Sequence, residues 1–244
     1  MVAYHRAEHP SSLDGDELDR RLAAGWFRMH QDIFTTTHLY TEDNFHRVHW
    51  LRYALDRITD RMSHRRIRRM NARFDITIEK FTAIRLDHAL LFARYRASIN
   101  FDGAASISQA LFDDQSPDKN IFDTYSISIV DDNRLIAGGY FDVGDKSGTS
   151  ILHFFDPDYR RYSLGRYMIL LTIDYLKSRG FTHYYPGYVV SGKEKMNYKL
   201  FLGRDLAEYF DPSTGIWLPF DERILLPERL SEVDKLQIAL ALIE

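Results

Sequence analysis

The spacing of apolar positions along this 244-residue chain changes near residue 120. Before that point apolar residues recur every three or four positions, the repeat of a helix face. Residues 13–24 (LDGDELDRRLAA) predict a short helix ended by Gly25. Residues 63–74 and 86–97 predict two more, the second with Leu86, Leu90, Leu91 and Tyr95 on one face. Residues 45–53 fit a strand or a helix on pattern alone. Beyond Asn100 a loop and a short helix around Ile107 and Leu111 are expected, and QSPDKN at 115–120 is the strongest internal loop signal.

After that loop the repeat shortens to the alternation of strands. Residues 124–130 and 134–143 predict two strands joined by Asp131-Asp132-Asn133, a short polar hairpin connection. Residues 149–155 predict a third. Ser163 is placed to cap a long helix with Leu164, Tyr167, Met168, Leu171 and Tyr175 at helical spacing, ending at Gly180. Residues 182–190 predict the next strand. Ser231 to Ile243 reads as a terminal amphipathic helix whose Ser231 and Asp234 resemble a capping box. Strands, helix and strand after residue 120 predict an α/β or α+β sheet domain, preceded by a smaller and more helical N-terminal part.

Composition narrows the class. An apolar content of 45% with 14% aromatic residues supports a packed core and excludes a disordered chain. No apolar run approaches the ~18–20 residues of a membrane span, and MVAYHRAEHPSS lacks the apolar stretch of a signal peptide. The absence of cysteine excludes disulfides and fits a reducing compartment. A cytoplasmic protein without a membrane partner is expected. At a net charge of −3 no global field attracts nucleic acid, so any such contact must be local.

One local candidate is the run from Arg61 to Arg73, which holds six arginines and no acidic residue. On a helix Arg65, Arg69 and Arg73 share a face, with Arg66 beside it. Charge runs on helices are usually solvated faces, but here no interleaved carboxylate offsets the repulsion. The stripe can therefore track phosphates. A second candidate is Ser163-Leu164-Gly165, where unpaired N–H groups and the positive dipole end of a helix favour an anion. His38 with His46-x-x-His49 invites a zinc reading, yet no cysteine or further clear ligand accompanies them, so no metal is expected. No Ser-His-Asp arrangement or HExxH motif supports a hydrolase.

Residues 154–199 carry a wider resemblance. Asp156-Pro157, Ser163-Leu164-Gly165, Tyr185, Gly187, Tyr188, Lys195-Met196 and Tyr198-Lys199 fall in the order and spacing of arginyl-tRNA–protein and leucyl-tRNA–protein transferases. Gly25-Trp26-Phe27-Arg28, Ser63 to Asn71, His88 to Tyr95 and Asp102-Gly103 resemble further segments of that family. The resemblance covers roughly residues 20–220. It implies an α+β fold whose GNAT-like mixed sheet, flanked by helices, occupies residues 116–244. A more helical subdomain with the basic helix would occupy residues 1–115. It favours a strand at 45–53.

The resemblance also implies the activity: an amino acid of the Arg or Leu type moves from aminoacyl-tRNA to the α-amine of a protein or peptide N-terminus. No cofactor is then needed beyond aminoacyl-tRNA as co-substrate. Asp156, Tyr185 and Tyr188 would be catalytic. Ser163, Leu164, Gly165, Gly187, Lys195, Met196, Tyr198 and Lys199 would bind substrate, and Arg65, Arg66 and Arg69 would bind tRNA. Relatives carry N-terminal cysteines where a gap-free reading places His38, Thr41 and Asn44, so a metal or redox role of that region is expected to be absent. CoA-dependent GNAT enzymes use a turn with a second small residue where this chain has Tyr167, which speaks against acetyl-CoA. A CoA-dependent N-acyltransferase and a non-catalytic tRNA- or degron-binding relative are the alternatives.

Overall fold

The computed structural model describes residues 3–41, 44–100 and 103–243, so Asp102 lies outside the described residues. In chain order the elements are β1 (His5–Glu8), α1 (Gly15–Ala23), β2 (Phe27–Met29), β3 (Asp32–Thr36), β4 (His38–Thr41) and β5 (Asn44–Ala54). They continue with α2 (Met62–Asn71), β6 (Asp75–Lys80), α3 (Leu86–Ala97), α4 (Ile107–Phe112), β7 (Thr124–Asp131), β8 (Arg134–Val143) and β9 (Ser147–Phe155). The remaining elements are α5 (Leu164–Ser178), β10 (His183–Val190), β11 (Ala207–Asp211), β12 (Ile216–Pro219) and α6 (Glu232–Ile243).

Local chemistry explains most of these boundaries. The Asp14 carboxylate caps α1 by accepting from Glu17 N at 2.7 Å, and Gly25 leaves the helix with φ +77°. Asp132 and Asn133 both take positive φ in the β7–β8 turn, the conformation that matches the twist of a hairpin. Ser231 and Asp234 form the expected reciprocal cap on α6. Ser163 departs from expectation. It precedes α5 in the left-handed region, φ 55°, and its hydroxyl caps nothing.

The fold is α+β: a nine-stranded mixed sheet flanked by helices, with a separate three-stranded sheet β1-β3-β2. The large sheet runs β12-β11-β5-β10-β9-β8-β7-β6, and β4 pairs with β5 off this path. Every pairing is antiparallel except β9 with β10. That parallel pairing spans only His183↔Ser147 to Tyr185↔Thr149. Beyond it β10 stays with β5 as far as Val190↔Val48, while β9 stays with β8 as far as Phe155↔Ala137. The two strands therefore part in mid-sheet.

Two glycines let helices close on both faces of the sheet beside this gap. A Cβ on Gly138 would stand 2.5 Å from the Phe154 ring on the α3 side; one on Gly139 would stand 2.7 Å from His153 and 3.1 Å from Met168 of α5. α5 buries Leu164, Tyr167, Met168, Leu171 and Leu176 in the main core with Tyr53, Ile127 and Phe141. Each fully buried Leu contributes about 1.5–3 kcal/mol. α3 turns His88, Leu91 and Phe92 inward, and the expected apolar face is displaced: Leu86 and Leu90 are exposed. Leu91 and Tyr95 of the expected face do pack inward, and the sheet takes His88 and Phe92 in place of Leu86 and Leu90.

Arg28 ties the small sheet to the large one. It is buried and pairs with the buried Asp142 at 2.9 Å. It also donates to Leu111 O and His30 O, so its fork is well used. Removing one partner of such a pair costs ~3–5 kcal/mol, because the other charge stays buried.

Candidate functional site

Where β9 and β10 part, a cleft of about 510 Å³ opens against the start of α5. β9 contributes Ser150 to His153 and Phe155, β10 contributes Tyr184 and Pro186, and α3 contributes Phe92, Tyr95 and Arg96, with Ile99 just past its end. Ser163, Gly165, Arg166 and Ile169 come from the α5 end, and Tyr198 with Lys199 from the 3-10 segment Glu194–Leu200. A splayed parallel pair exposes backbone groups at its fork, and the first turn of α5 adds N–H groups without partners inside the helix. The described lining residues include three cations, Arg96, Arg166 and Lys199, and no carboxylate.

The residues singled out in the sequence divide into groups. Ser163, Gly165, Tyr198 and Lys199 are brought together in the cleft. A Cβ on Gly165 would meet only one Phe155 ring atom at 3.9 Å, so that position faces open space. The Tyr198 ring is about half exposed, at 49%. Gly187, φ +90°, lies at the bulge where β10 shifts register against β5; a Cβ there would stand 3.3 Å from Lys199 Nζ. Tyr188 borders the same point. Its carbonyl accepts from Lys199 Nζ at 2.8 Å, its ring lies 4.6 Å from that nitrogen, and Trp50 packs edge-on against it.

Other singled-out residues point elsewhere. The Leu164 side chain is fully buried in the main core, leaving only its backbone for a ligand. The Tyr185 side chain packs with Leu18, Leu22 and Trp217 on the opposite sheet face, since strand residues alternate, and Tyr184 faces the cleft instead. Met196 packs against the cluster of Phe34, Val48 and Trp50, and Lys195 is exposed outside the cleft. Asp156 is buried at the end of β9, where it pairs with Arg134 and Arg94 and caps the following 3-10 turn through Asp158 N. Tyr167 turns into the core, near Arg68 and Asp174. The expected crowding of the α5 N-terminus by Tyr167 therefore does not occur.

Arg68 of α2 pairs with Asp60 and Asp174, while Arg61 at its N-cap and Arg73 just past its end pair with Asp205 and Asp131. Arg65, Arg66 and Arg69 are exposed with no carboxylate partner among the described residues. α2 packs on α5, and the Asn71 amide donates to Tyr162 O just before it. His46 and His49 each direct a ring nitrogen at Ser191, and His38 Nδ1 meets Thr37. No group of three metal-ligating side chains occurs among the described residues.

The electrostatics of the cleft follow from burial. Desolvation lowers Lys199 from the usual amine range to about 8. It lowers His153 to about 4, which keeps that ring neutral at pH 7, and His153 Nε2 is buried without a partner among the described residues. Burial also raises the phenol of Tyr184, whose hydroxyl donates to Ser150 Oγ at 2.8 Å.

The sequence reading missed Arg96, Arg166, His153 and Tyr184. A signal existed for Arg166, because a cation in the first turn of a helix opposes the helix dipole and invites an explanation. His153 gave none, since its place beside the fork depends on strand register.

Residues 87–203 match the family described as arginine-tRNA-protein transferase, C terminus. Aspartate/glutamate leucyltransferase of Acinetobacter baumannii is 43% identical over 77 residues, 32% of this chain and 28% of that protein. The same-named protein of Shewanella oneidensis is 41% identical over 73 residues, 30% of this chain and 31% of that one. Arginyl-tRNA--protein transferase 2 of Arabidopsis thaliana is 36% identical over 95 residues, 37% of this chain and 15% of that one. This matched segment, just under half of the chain, is similar to the C-terminal part of arginyl-tRNA–protein transferases and to a stretch of the leucyltransferases. The matched stretch spans under a third of these curated relatives' own length. A solved C-terminal DUF2156 domain from Agrobacterium fabrum covers 59% of this chain and 48% of its own at 15% identity, with a TM-score of 0.43. No described helix is long and apolar enough to cross a membrane.

Proposed function

We propose that this protein is an aminoacyl-tRNA-dependent transferase that moves an amino acid from tRNA to the α-amine of a protein or peptide N-terminus. The observation that carries the reading is the cleft at the β9–β10 fork, where Arg96, Arg166 and Lys199 face aromatic and aliphatic walls. A tRNA 3′ end presents anionic phosphates, a base with a stacking face and an ester already activated for transfer. Arg96 and Arg166 suit the phosphates, Tyr198 suits the base, and the open turn at Ser163 and Gly165 suits an anion. The chemistry asks for orientation, a proton acceptor and donors for the carbonyl oxygen as it gains charge. The three cations disfavour a guanidinium in the cleft, so an uncharged side chain of the Leu type fits the donor better than Arg. Arg65, Arg66 and Arg69 extend the basic surface outward along α2 for the rest of the tRNA. The cytoplasm, where charged tRNA is available, is the compartment this reading requires.

The open α5 N-terminus leaves a phosphate of CoA a place as well, so the test carries both donors. Radiolabelled Leu-tRNA, Arg-tRNA and acetyl-CoA are each offered with peptides beginning in Asp, Glu, Lys or Arg. Transfer from Leu-tRNA, dependent on a free peptide α-amine, is expected. Acetyl transfer without any response to charged tRNA would replace this reading with the CoA-dependent one.

A further inference from the structure

We propose that Lys199 is the proton acceptor for the incoming α-ammonium, an inference that rests on the transferase reading above. The placement is specific. Lys199 Nζ is held by the Tyr188 carbonyl at 2.8 Å and by the Tyr188 ring at 4.6 Å, beside the bulge at Gly187. The Tyr53 hydroxyl, from β5, fixes the Lys199 backbone by donating to its carbonyl at 3.0 Å. The side chain lines the cleft together with Pro186 and Tyr198.

Among the described residues its surroundings supply no counter-charge. From β10 it meets the neutral phenol Tyr188, and from its own segment Tyr198; Arg96 of α3, Arg166 of α5 and neutral His153 of β9 line the same cleft. A half-buried amine among cations and phenols, with no carboxylate partner among the described residues, gives up its proton more readily than a solvated lysine, and desolvation brings it to about 8. A peptide α-amine titrates at about 7.7–8.0. The two groups are therefore matched for proton exchange at neutral pH, the condition under which a general base is most effective. A lysine held only for packing would gain nothing from facing the cleft.

Neutral Lys199 takes one proton from the acceptor –NH3+, and the freed lone pair attacks the ester carbonyl carbon, forming the N–C bond as the C=O pair moves onto oxygen. Collapse of that intermediate breaks the bond from the carbonyl carbon to the ribose oxygen. That oxygen leaves with the second amine proton as a hydroxyl, and Lys199 returns its proton to solvent.

The test compares wild type with Lys199→Arg, which keeps a cation and a donor for the Tyr188 carbonyl but does not deprotonate. Each is given Leu-tRNA at saturation and two acceptors at pH 7: an ordinary peptide, and the same peptide with its α-amine replaced by a hydrazide nitrogen that is already neutral. Lys199→Arg is expected to slow transfer to the amine by about 10²-fold or more, to change the hydrazide reaction little, and to leave the Kd for aminoacylated acceptor-stem RNA unchanged. Wild-type transfer to the amine should also rise with pH through about 8. Equal losses on both acceptors, or weaker RNA binding that accounts for the loss, would assign Lys199 a structural or phosphate-binding role and overturn the proposal. If the variant does not fold, a flat wild-type profile from pH 6.5 to 9 on the amine acceptor overturns it instead. Wild type inactive with every charged tRNA would remove the transferase reading itself, an outcome distinct from these.

Discussion

Gly165 and Gly187 show how two glycines of one site carry different burdens. Gly187 has φ +90° at a strand bulge, with Lys199 Nζ and the Phe27 ring next to any added Cβ, so a side chain there strains the backbone. Gly165 sits in the first turn of α5 with ordinary φ and open space before it. Gly165→Val is therefore expected to fold with a melting temperature near that of wild type while transfer falls by more than about tenfold, because the branched side chain occupies the approach to the helix N–H groups. Thermal unfolding and single-turnover transfer measured on the same preparation check this. Full activity in the folded variant would place the substrate elsewhere. His153 is the complementary case. Its Nε2 has no partner among the described residues, and an unsatisfied buried nitrogen costs about 1–3 kcal/mol unless a ligand completes it.

The arginines of α2 and its flanks divide into those paired with carboxylates and those facing outward. Arg61, Arg68 and Arg73 are committed to carboxylates on neighbouring segments, and the Arg68–Asp174 pair ties the helix to α5. Arg65, Arg66 and Arg69 remain on the exposed side. Replacing these three with Glu should weaken tRNA binding and flatten the plot of log K against log salt by about one unit for each phosphate the variant no longer neutralises. Stability should change little, since no buried pair is broken. Titrations between low and physiological salt would show it, and an unchanged slope in the folded triple variant would remove α2 from the tRNA path. The division itself was not legible in the sequence. The acid-free run from Arg61 to Arg73 marked the helix as basic, but Asp205, Asp174 and Asp131 are distant in the chain and only the fold brings them to it.

For the whole molecule, the pattern of apolar positions was enough to place α1, α2, α3, the β7–β8 hairpin, β9, α5 and β10, because each has a clear period and a turn or cap at its end. What it could not show was the sheet order. β5 inserts between β10 and β11, and β6 closes the other edge on β7, so strands separated by more than a hundred residues become neighbours through nonlocal pairing. Strand register then decides which tyrosine faces the cleft, and one residue of uncertainty exchanged Tyr184 for Tyr185. The turn at Ser163 and Gly165 was legible as a candidate because a helix N-terminus is a local feature, and it lines the cleft. Arg96 and His153 were not, because they reach the cleft from the far helix and the parting strand. On the transferase reading, this fork receives the aminoacylated 3′ end of tRNA. The most direct measurement is equilibrium binding of an acceptor-stem RNA bearing a non-hydrolysable 3′-amide-linked leucine, to wild type and to the folded Arg96→Glu/Arg166→Glu variant. Saturable binding by wild type is predicted, abolished in the variant and weakened when the RNA lacks its terminal aminoacyl-adenosine. Equal binding by both proteins, or binding indifferent to that terminus, would contradict it.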